Sequence, residues 1–204
     1  MSDGKQTVGL IDAGGANLGS VRYALERIGV QVQLVRNADE LAACQRVILP
    51  GVGAAAEGMA RLHSQGLVAP LRTLDKPLLG ICLGMQLLYE HSEEGHVDAL
   101  GLLPGVVRRL KPAVGIRVPH MGWNKLLALR ESPLLDGIAA GASTYFVHSY
   151  AAPVSSHTVA VSHHGGLFTA MVQRGLYCGA QFHPERSAGP GEQLLRNFLA
   201  MDFS

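Results

Sequence analysis

The chain has 204 residues, 48% of them apolar and 16% charged, which suffices for one sizeable core and argues against disorder. Seventeen basic residues against sixteen acidic ones leave a formal charge of +1. That balance excludes the electrostatic footprint of a nucleic-acid binder or of a protein drawn to anionic membranes.

Residues 1–6 are polar and lack the apolar stretch of a signal peptide. Residues 8–12 predict a buried strand, followed by a turn at Gly14-Gly15-Ala16-Asn17. Val21, Ala24, Leu25 and Ile28 then recur at helical spacing, and Gly29 supplies a stop. Residues 32–35 and 46–49 predict two more strands, the latter ending at Pro50-Gly51-Val52-Gly53. Helices are expected over 54–63 and 67–74, then a fourth strand over 78–81 with a helix over 84–91 directly behind it. The most apolar window, residues 77–89, is short and broken by Gln86, so no bilayer span is expected. Strands alternating with helices imply right-handed crossovers and a mostly parallel sheet.

The second half changes character. Residues 106–110, 125–129, 144–150, 158–162, 168–172 and 177–182 predict strands separated by turns. A final helix carries Leu194, Leu195, Phe198 and Leu199 on one face. No linker or repeat divides the chain. Residues 1–204 therefore predict a single α/β domain, a mostly parallel central sheet flanked by helices with an added antiparallel β region.

Three cysteines, Cys44, Cys82 and Cys178, are too few and too scattered for a disulfide framework, so a reduced, cytoplasmic protein is expected. Cys82 stands apart. Gly80-Ile81-Cys82-Leu83-Gly84 lies where an apolar strand gives way to a helix, the cysteine counterpart of a nucleophile elbow. Flanking glycines leave room for a sharp, strained turn, and a helix N-terminus behind the sulfur favours thiolate. The same pentapeptide also fits a small structural cysteine in a packed strand.

A thiolate nucleophile needs a proton acceptor, and the acceptor needs an orienting partner. Of nine histidines, His63, His91, His96 and His157 sit in polar surroundings, and His163 and His164 point to opposite sides of an extended segment. No H-E-x-x-H or cysteine–histidine pairing supports a metal, and no cofactor is expected. His183 follows the apolar run Tyr177-Cys178-Gly179-Ala180-Gln181-Phe182 and is joined through Pro184 to Glu185. In an extended segment residues i and i+2 project to one side, and proline fixes the intervening φ. Taken alone, His-Pro-Glu also fits a solvated turn at a strand end.

Gly80-Ile81-Cys82-Leu83-Gly84-Met85-Gln86 together with Gln181-Phe182-His183-Pro184-Glu185 resembles the class I (triad) glutamine amidotransferases. Pro119-His120-Met121-Gly122-Trp123-Asn124, Tyr145-Phe146-Val147-His148-Ser149-Tyr150 and Pro50-Gly51-Val52-Gly53 narrow the resemblance to glutaminase subunits of imidazole glycerol phosphate synthases. The resemblance implies Cys82, His183 and Glu185 as the catalytic triad. It implies an oxyanion hole from the Leu83 backbone N–H and one near Gly51, Val52 or Gly53. Gln86 and Glu94, with backbone groups of Ser149 and Tyr150, are expected to hold the amino-acid end of glutamine, Glu94 being favoured over Glu93. The implied partner is a (β/α)8-barrel cyclase, in a heterodimer that makes imidazole glycerol phosphate for histidine biosynthesis. Asn17, Met121, Trp123 and Arg186 fall at positions that face the cyclase, although a lone Trp123 also suits a core.

Two departures stand out. Asp12-Ala13-Gly14-Gly15-Ala16-Asn17 replaces the family's usual aspartate-tyrosine-glycine before the asparagine, and Arg186 replaces a frequent lysine. Gly14-Gly15-Ala16-Asn17-Leu18-Gly19-Ser20 also invites a phosphate-binding reading, but it lacks both the G-x-G-x-x-G pattern and the P-loop lysine. Two rivals keep the fold: a glutaminase serving another acceptor, as in anthranilate or guanylate synthesis, and a non-catalytic regulator. The Pro119–Asn124 and Tyr145–Tyr150 segments argue against the first, and the three triad residues against the second.

Overall fold

The computed structural model describes residues 7–13 and 17–202, so the expected turn at Gly14, Gly15 and Ala16 lies outside the described residues. The first half runs β1 (Thr7–Ile11), α1 (Leu18–Arg27), β2 (Gln31–Val35), α2 (Ala38–Ala43), β3 (Arg46–Gly51), α3 (Ala55–Ser64), α4 (Val68–Arg72), β4 (Leu78–Cys82) and α5 (Leu83–Gln86). Strands dominate the second half: β5 (Tyr89–Ser92), β6 (Val97–Asp98), β7 (Leu103–Arg109), β8 (His120–Lys125), β9 (Leu127–Ala128) and β10 (Ser143–His148). They continue as β11 (Tyr150–Ala151), β12 (Thr158–His163), β13 (Leu167–Arg174) and β14 (Tyr177–Ala180) before the last helix, α6 (Ala188–Ala200).

Among the described residues one sheet has eight strands in the order β2-β1-β3-β4-β14-β13-β12-β9. From β2 to β14 the pairing is parallel, and β13, β12 and β9 extend it antiparallel. Strands buried on both faces read as continuous apolar runs, and β4 is buried throughout. Alternation sends Val47, Leu49 and Leu78 to one face, against Met59 and Leu62 of α3 and Leu71 of α4. Ile48, Leu79 and Ile81 take the other face, against Val21 and Leu25 of α1 and Leu194 and Phe198 of α6. Two smaller sheets lie beside it: β10-β8 is antiparallel, whereas in β11-β7-β5-β6 the central pair β7-β5 runs parallel and the two outer pairs antiparallel.

The expected helix over 84–91 does not form. After a single turn the chain leaves α5, and residues 89–92 become β5. The carbonyls of Leu87 and Leu88 accept bonds from the Leu100, Leu102 and Leu103 amides, so a returning segment takes the place of further helical turns. The strand expected over 125–129 is likewise divided: β8 stops at Lys125 and only Leu127–Ala128 joins the large sheet. The run over 144–150 breaks at Ser149, where the chain passes from β10 to β11 in a different sheet. No described helix is long and apolar enough to cross a membrane.

Candidate active site

Parallel sheets bind ligands beyond the carboxyl ends of their strands, and three such ends meet here. Gly51, the last residue of β3, lies opposite Cys82, the last residue of β4. On the other flank Ala180 of β14 pairs with Ile81, so the chain that follows β14 through Gln181 to His183 runs past Cys82. The elbow is as sharp as the glycines suggested. Cys82 sits at φ 54° and ψ −111°, a conformation that side chains seldom adopt, and one that is stored as strain at functional sites. A Cβ on Gly84 would lie 1.7 Å from the Leu49 carbonyl oxygen, and one on Gly80 2.6 Å from the Gly84 oxygen. Only glycine fits either place. Because α5 is one turn long, the dipole behind the sulfur is weaker than a helix over 84–91 would give.

His183 and Glu185 meet, but not in the extended geometry expected. Residues Pro184–Arg186 form a 3-10 turn, with proline at its first position. The turn brings Glu185 Oε1 to 2.8 Å from His183 Nδ1, with the carboxylate side chain 1% exposed. The Tyr145 carbonyl accepts the His183 N–H at 2.9 Å, and Ser187 Oγ donates to the His183 carbonyl at 2.7 Å, so the turn is braced on both sides. Burial opposes a charge on His183, yet hydrogen bonds to Cys82 and Glu185, and their negative charges, raise it to about 10. The imidazolium form is favoured. With Nδ1 committed to Glu185, Nε2 is the nitrogen free to serve the sulfur.

A cleft of about 340 Å³ opens on this group, lined by Val52, Gly53, Cys82, Leu83, Gln86, Glu94, Pro119, Val147, His148, Ser149, Tyr150 and His183. Of the predicted catalytic, oxyanion and substrate residues the cleft gathers all but Gly51, which packs against Leu83, and Glu185, which is bonded to His183 outside the lining. Gln86 Nε2 donates to the Tyr150 carbonyl at 2.7 Å and to Gln181 Oε1 at 2.9 Å. Glu94 accepts the Ala55 N–H at 3.0 Å; burial raises its pKa, and that hydrogen bond pulls the other way. Glu93 points elsewhere, to Arg108 at 2.7 Å and the Arg109 N–H at 3.0 Å, so of the two glutamates Glu94 alone lines the cleft.

The sequence reading did not single out His148 or Gln181, both buried beside Cys82. A backbone carbonyl can only accept, so His148 Nδ1 donates to Tyr150, 2.8 Å away. Its Nε2 then accepts from His120 Nδ1 at 3.0 Å, and His120 Nε2 accepts from Asn124 Nδ2 at 3.2 Å. Burial lowers His148 to about 3 and His120 to about 4, which keeps both rings neutral. Their only sequence signal was a histidine at alternating, inward positions of two paired strands.

The residues expected to face a partner divide in two. Met121 and Trp123 are 64% and 58% exposed on the outer face of β8. Tyr145 stands edge-on to Trp123, with ring centres 5.8 Å apart, and the Arg186 guanidinium lies 4.6 Å from the centre of the Tyr145 ring. Trp123 is therefore not a core residue. Asn17 is nearly buried at the head of α1, and neither of its side-chain polar atoms has a hydrogen-bond partner among the described residues.

The family described as Glutamine amidotransferase class-I matches residues 9–201. The Imidazole glycerol phosphate synthase subunit HisH of Xanthomonas oryzae pv. oryzae is 70% identical over 196 residues, covering 96% of this chain and 98% of that one. Its namesake in Xylella fastidiosa is 67% identical over 195 residues, with coverage of 96% and 98%. A crystal structure of a glutamine amidotransferase superposes with a TM-score of 0.73 at 22% identity, over 94% of this chain and 96% of that one. PurLQS from Thermotoga maritima gives 0.70 at 21% identity, over 96% and 98%, a likeness of fold. With a family match over nearly its whole length and relatives at such identity, the chain belongs to the class-I glutamine amidotransferases.

Proposed function

We propose that this chain is the glutaminase subunit of an imidazole glycerol phosphate synthase, hydrolysing glutamine with Cys82, His183 and Glu185 and passing ammonia to a (β/α)8-barrel cyclase. The observation that carries the chemistry is the buried Glu185–His183 pair facing a strained Cys82 at the mouth of one cleft. The identity of the acceptor rests on relatives 67–70% identical over almost the whole chain.

In this reading the Cys82 proton rests on His183 Nε2 before substrate reacts, as a thiolate–imidazolium pair, and the thiolate attacks the side-chain carbonyl carbon of glutamine. The oxyanion that forms is met by the Leu83 N–H and an N–H of the Val52–Gly53 segment, each such donor contributing on the order of a hundredfold in rate. The imidazolium then returns its proton to the departing nitrogen as the C–N bond breaks, releasing ammonia and leaving a glutamyl thioester. Water, deprotonated by His183, cleaves the C–S bond and frees glutamate. Glu185 holds the imidazole in the tautomer that both steps need. The Gln86 side-chain oxygen and the Glu94 carboxylate suit the substrate's α-ammonium group.

Ammonia is protonated in water at neutral pH, and ammonium is no nucleophile, so its release calls for a covered exit. The exposed Met121 and Trp123, with half-buried Tyr145 beside them, form a face of the kind enriched at interfaces, and Val147 links it to the cleft, one face-step along β10 from Tyr145 and paired with Met121. Asn17 and Arg186 are assigned to the same interface by their places in the family pattern.

The test is to assay glutamine hydrolysis with and without the barrel cyclase. Cys82→Ala is expected to lower glutamine-dependent synthesis by about four orders of magnitude while synthesis from added ammonium continues. Full hydrolytic activity in the isolated chain would instead mark a stand-alone hydrolase, and hydrolysis surviving Cys82→Ala would remove the nucleophile assignment.

A further inference from the structure

Two buried side-chain amides lie in series behind the nucleophile, and their directions are fixed from one end. The Tyr150 carbonyl can only accept, so the Gln86 atom 2.7 Å from it is the nitrogen. The second hydrogen on that nitrogen points at Gln181, 2.9 Å away, which must present its oxygen. Gln181 is then obliged to turn its own Nε2 towards the Cys82 sulfur, at 3.8 Å. Gln86 is 4% exposed and Gln181 0%, so water does not substitute for these partners. Turning either amide over would set donor against donor in a dry site.

The sulfur therefore lies between opposed influences. The Val147 carbonyl, 3.7 Å from Sγ, accepts from the S–H and favours the thiol. An N–H donor at the same sulfur favours the thiolate. At the far end, Gln86 has spent both its hydrogens on Tyr150 and Gln181, which leaves its oxygen as the acceptor available to the cleft.

We propose that Gln181 is a positioning residue of the glutaminase site, one amide that holds a thiolate-stabilising N–H on Cys82 and keeps the Gln86 oxygen turned towards the substrate's ammonium group. This rests on the reading of the cleft as a glutamine site for its second half only. The first half concerns the thiol alone. Glutamine capture and nucleophile activation are joined through this side chain: whatever reorients Gln86 reorients the donor at the sulfur. No proton passes through it, since the Cys82 proton goes to His183.

Two substitutions separate the halves. Gln181→Glu keeps the shape and the oxygen that receives Gln86, but puts an oxygen in place of the donor at Sγ. Gln181→Met keeps the length and removes both functions. The first readout is the pH dependence of Cys82 carbamidomethylation by iodoacetamide in the full chain, followed by mass spectrometry of the Cys82 peptide. The midpoint is expected to rise by about one pH unit in Gln181→Met and further in Gln181→Glu. The second readout is glutamine hydrolysis by the complex with the cyclase. Here KM is expected to rise roughly tenfold in Gln181→Met, while Gln181→Glu keeps the parent KM and loses kcat. Alkylation midpoints equal in all three proteins would overturn the proposal, as would equal KM changes in the two variants. If Gln181→Met does not fold, the isosteric Gln181→Glu carries the test alone through its split of midpoint from KM. A parent complex without glutaminase activity would sink the proposed function but leave the alkylation result to judge the thiol half.

Discussion

The two walls of the cleft satisfy their own groups in different ways. On one side the ends of β3, β4 and β14 are closed by contacts within the wall itself: Gly84 lies against the Leu49 carbonyl, the Ser187 hydroxyl braces His183, and Glu185 is out of water. On the other side β8 and β10 bury one face, carrying His120, Phe146 and His148, and leave Met121 and Trp123 exposed on the other. A wall complete in itself can store strain at Cys82, because surrounding contacts over-determine it. A wall with an exposed aromatic and methionine face has spare apolar area that another surface can cover. Reactive geometry should therefore depend on the first wall in the isolated chain, and on the second only once a partner is bound.

The comparison is broken most severely at Glu185. Glu185→Gln keeps the size but weakens the hold on the imidazolium, and kcat is expected to fall about a thousandfold. Burial disfavours charge on His183, whereas Cys82 and Glu185 raise it to about 10. A raised value means the protonated ring stabilises the fold fully below the unfolded value near 6.5, an advantage lost as pH climbs through the folded value. The gap in unfolding free energy between parent and variant, from urea titrations, should thus be widest near about pH 6, at about 2 kcal/mol, and close towards pH 10. A gap that widened with pH would show a neutral ring.

Next come paired substitutions, one in each wall. Gly84→Ala forces a methyl to within 1.7 Å of the Leu49 oxygen, and should cost about 3 kcal/mol or more by urea unfolding. Trp123→Ala removes a much larger group, yet the ring is 58% exposed, so stability should change by only about 0.5 kcal/mol. Its effect is expected in cyclase affinity, weakened ten- to a hundredfold in a binding titration. Should Trp123→Ala unfold the chain and leave affinity alone, the exposed face would be structural after all.

Much of the first wall was legible because its signals are backbone signals. Gly80 and Gly84 flag close approach and an apolar run flags β4, whereas Pro184, expected to hold an extended segment, opens a 3-10 turn instead. What was misread follows from tertiary contacts: Leu87 and Leu88 carry helical propensity, but residues 100–103 claim their carbonyls and the helix stops at Gln86. The capped helix α2 went unread although Asn37 and Glu40 announce it, the Asn37 side chain accepting the Glu40 N–H at 2.9 Å. The second wall was less legible because β8 turns His120 and Asn124 inward, so no apolar alternation marks the strand. Gln181 was quoted as part of a motif, yet nothing in its type or spacing says that its amide meets both Gln86 and Cys82.

The smallest expected effect concerns the far end of the cleft, where two adjacent glutamates differ only in direction. Glu94 lines the cleft and gives one oxygen to the Ala55 N–H, while Glu93 is taken up by Arg108 and the Arg109 N–H outside it. Glu94→Gln keeps the hydrogen bond to Ala55 but removes the negative charge opposite a substrate ammonium. Glutamine KM should rise about tenfold with kcat nearly unchanged, because a contact equal in ground and transition states affects binding alone. Glu93→Gln breaks an exposed ion pair and should leave KM within about twofold, with stability nearly unchanged. Steady-state kinetics on the two variants of the complex decide it. Equal KM shifts would mean that proximity to the cleft, rather than the direction of the carboxylate, governs capture of the substrate.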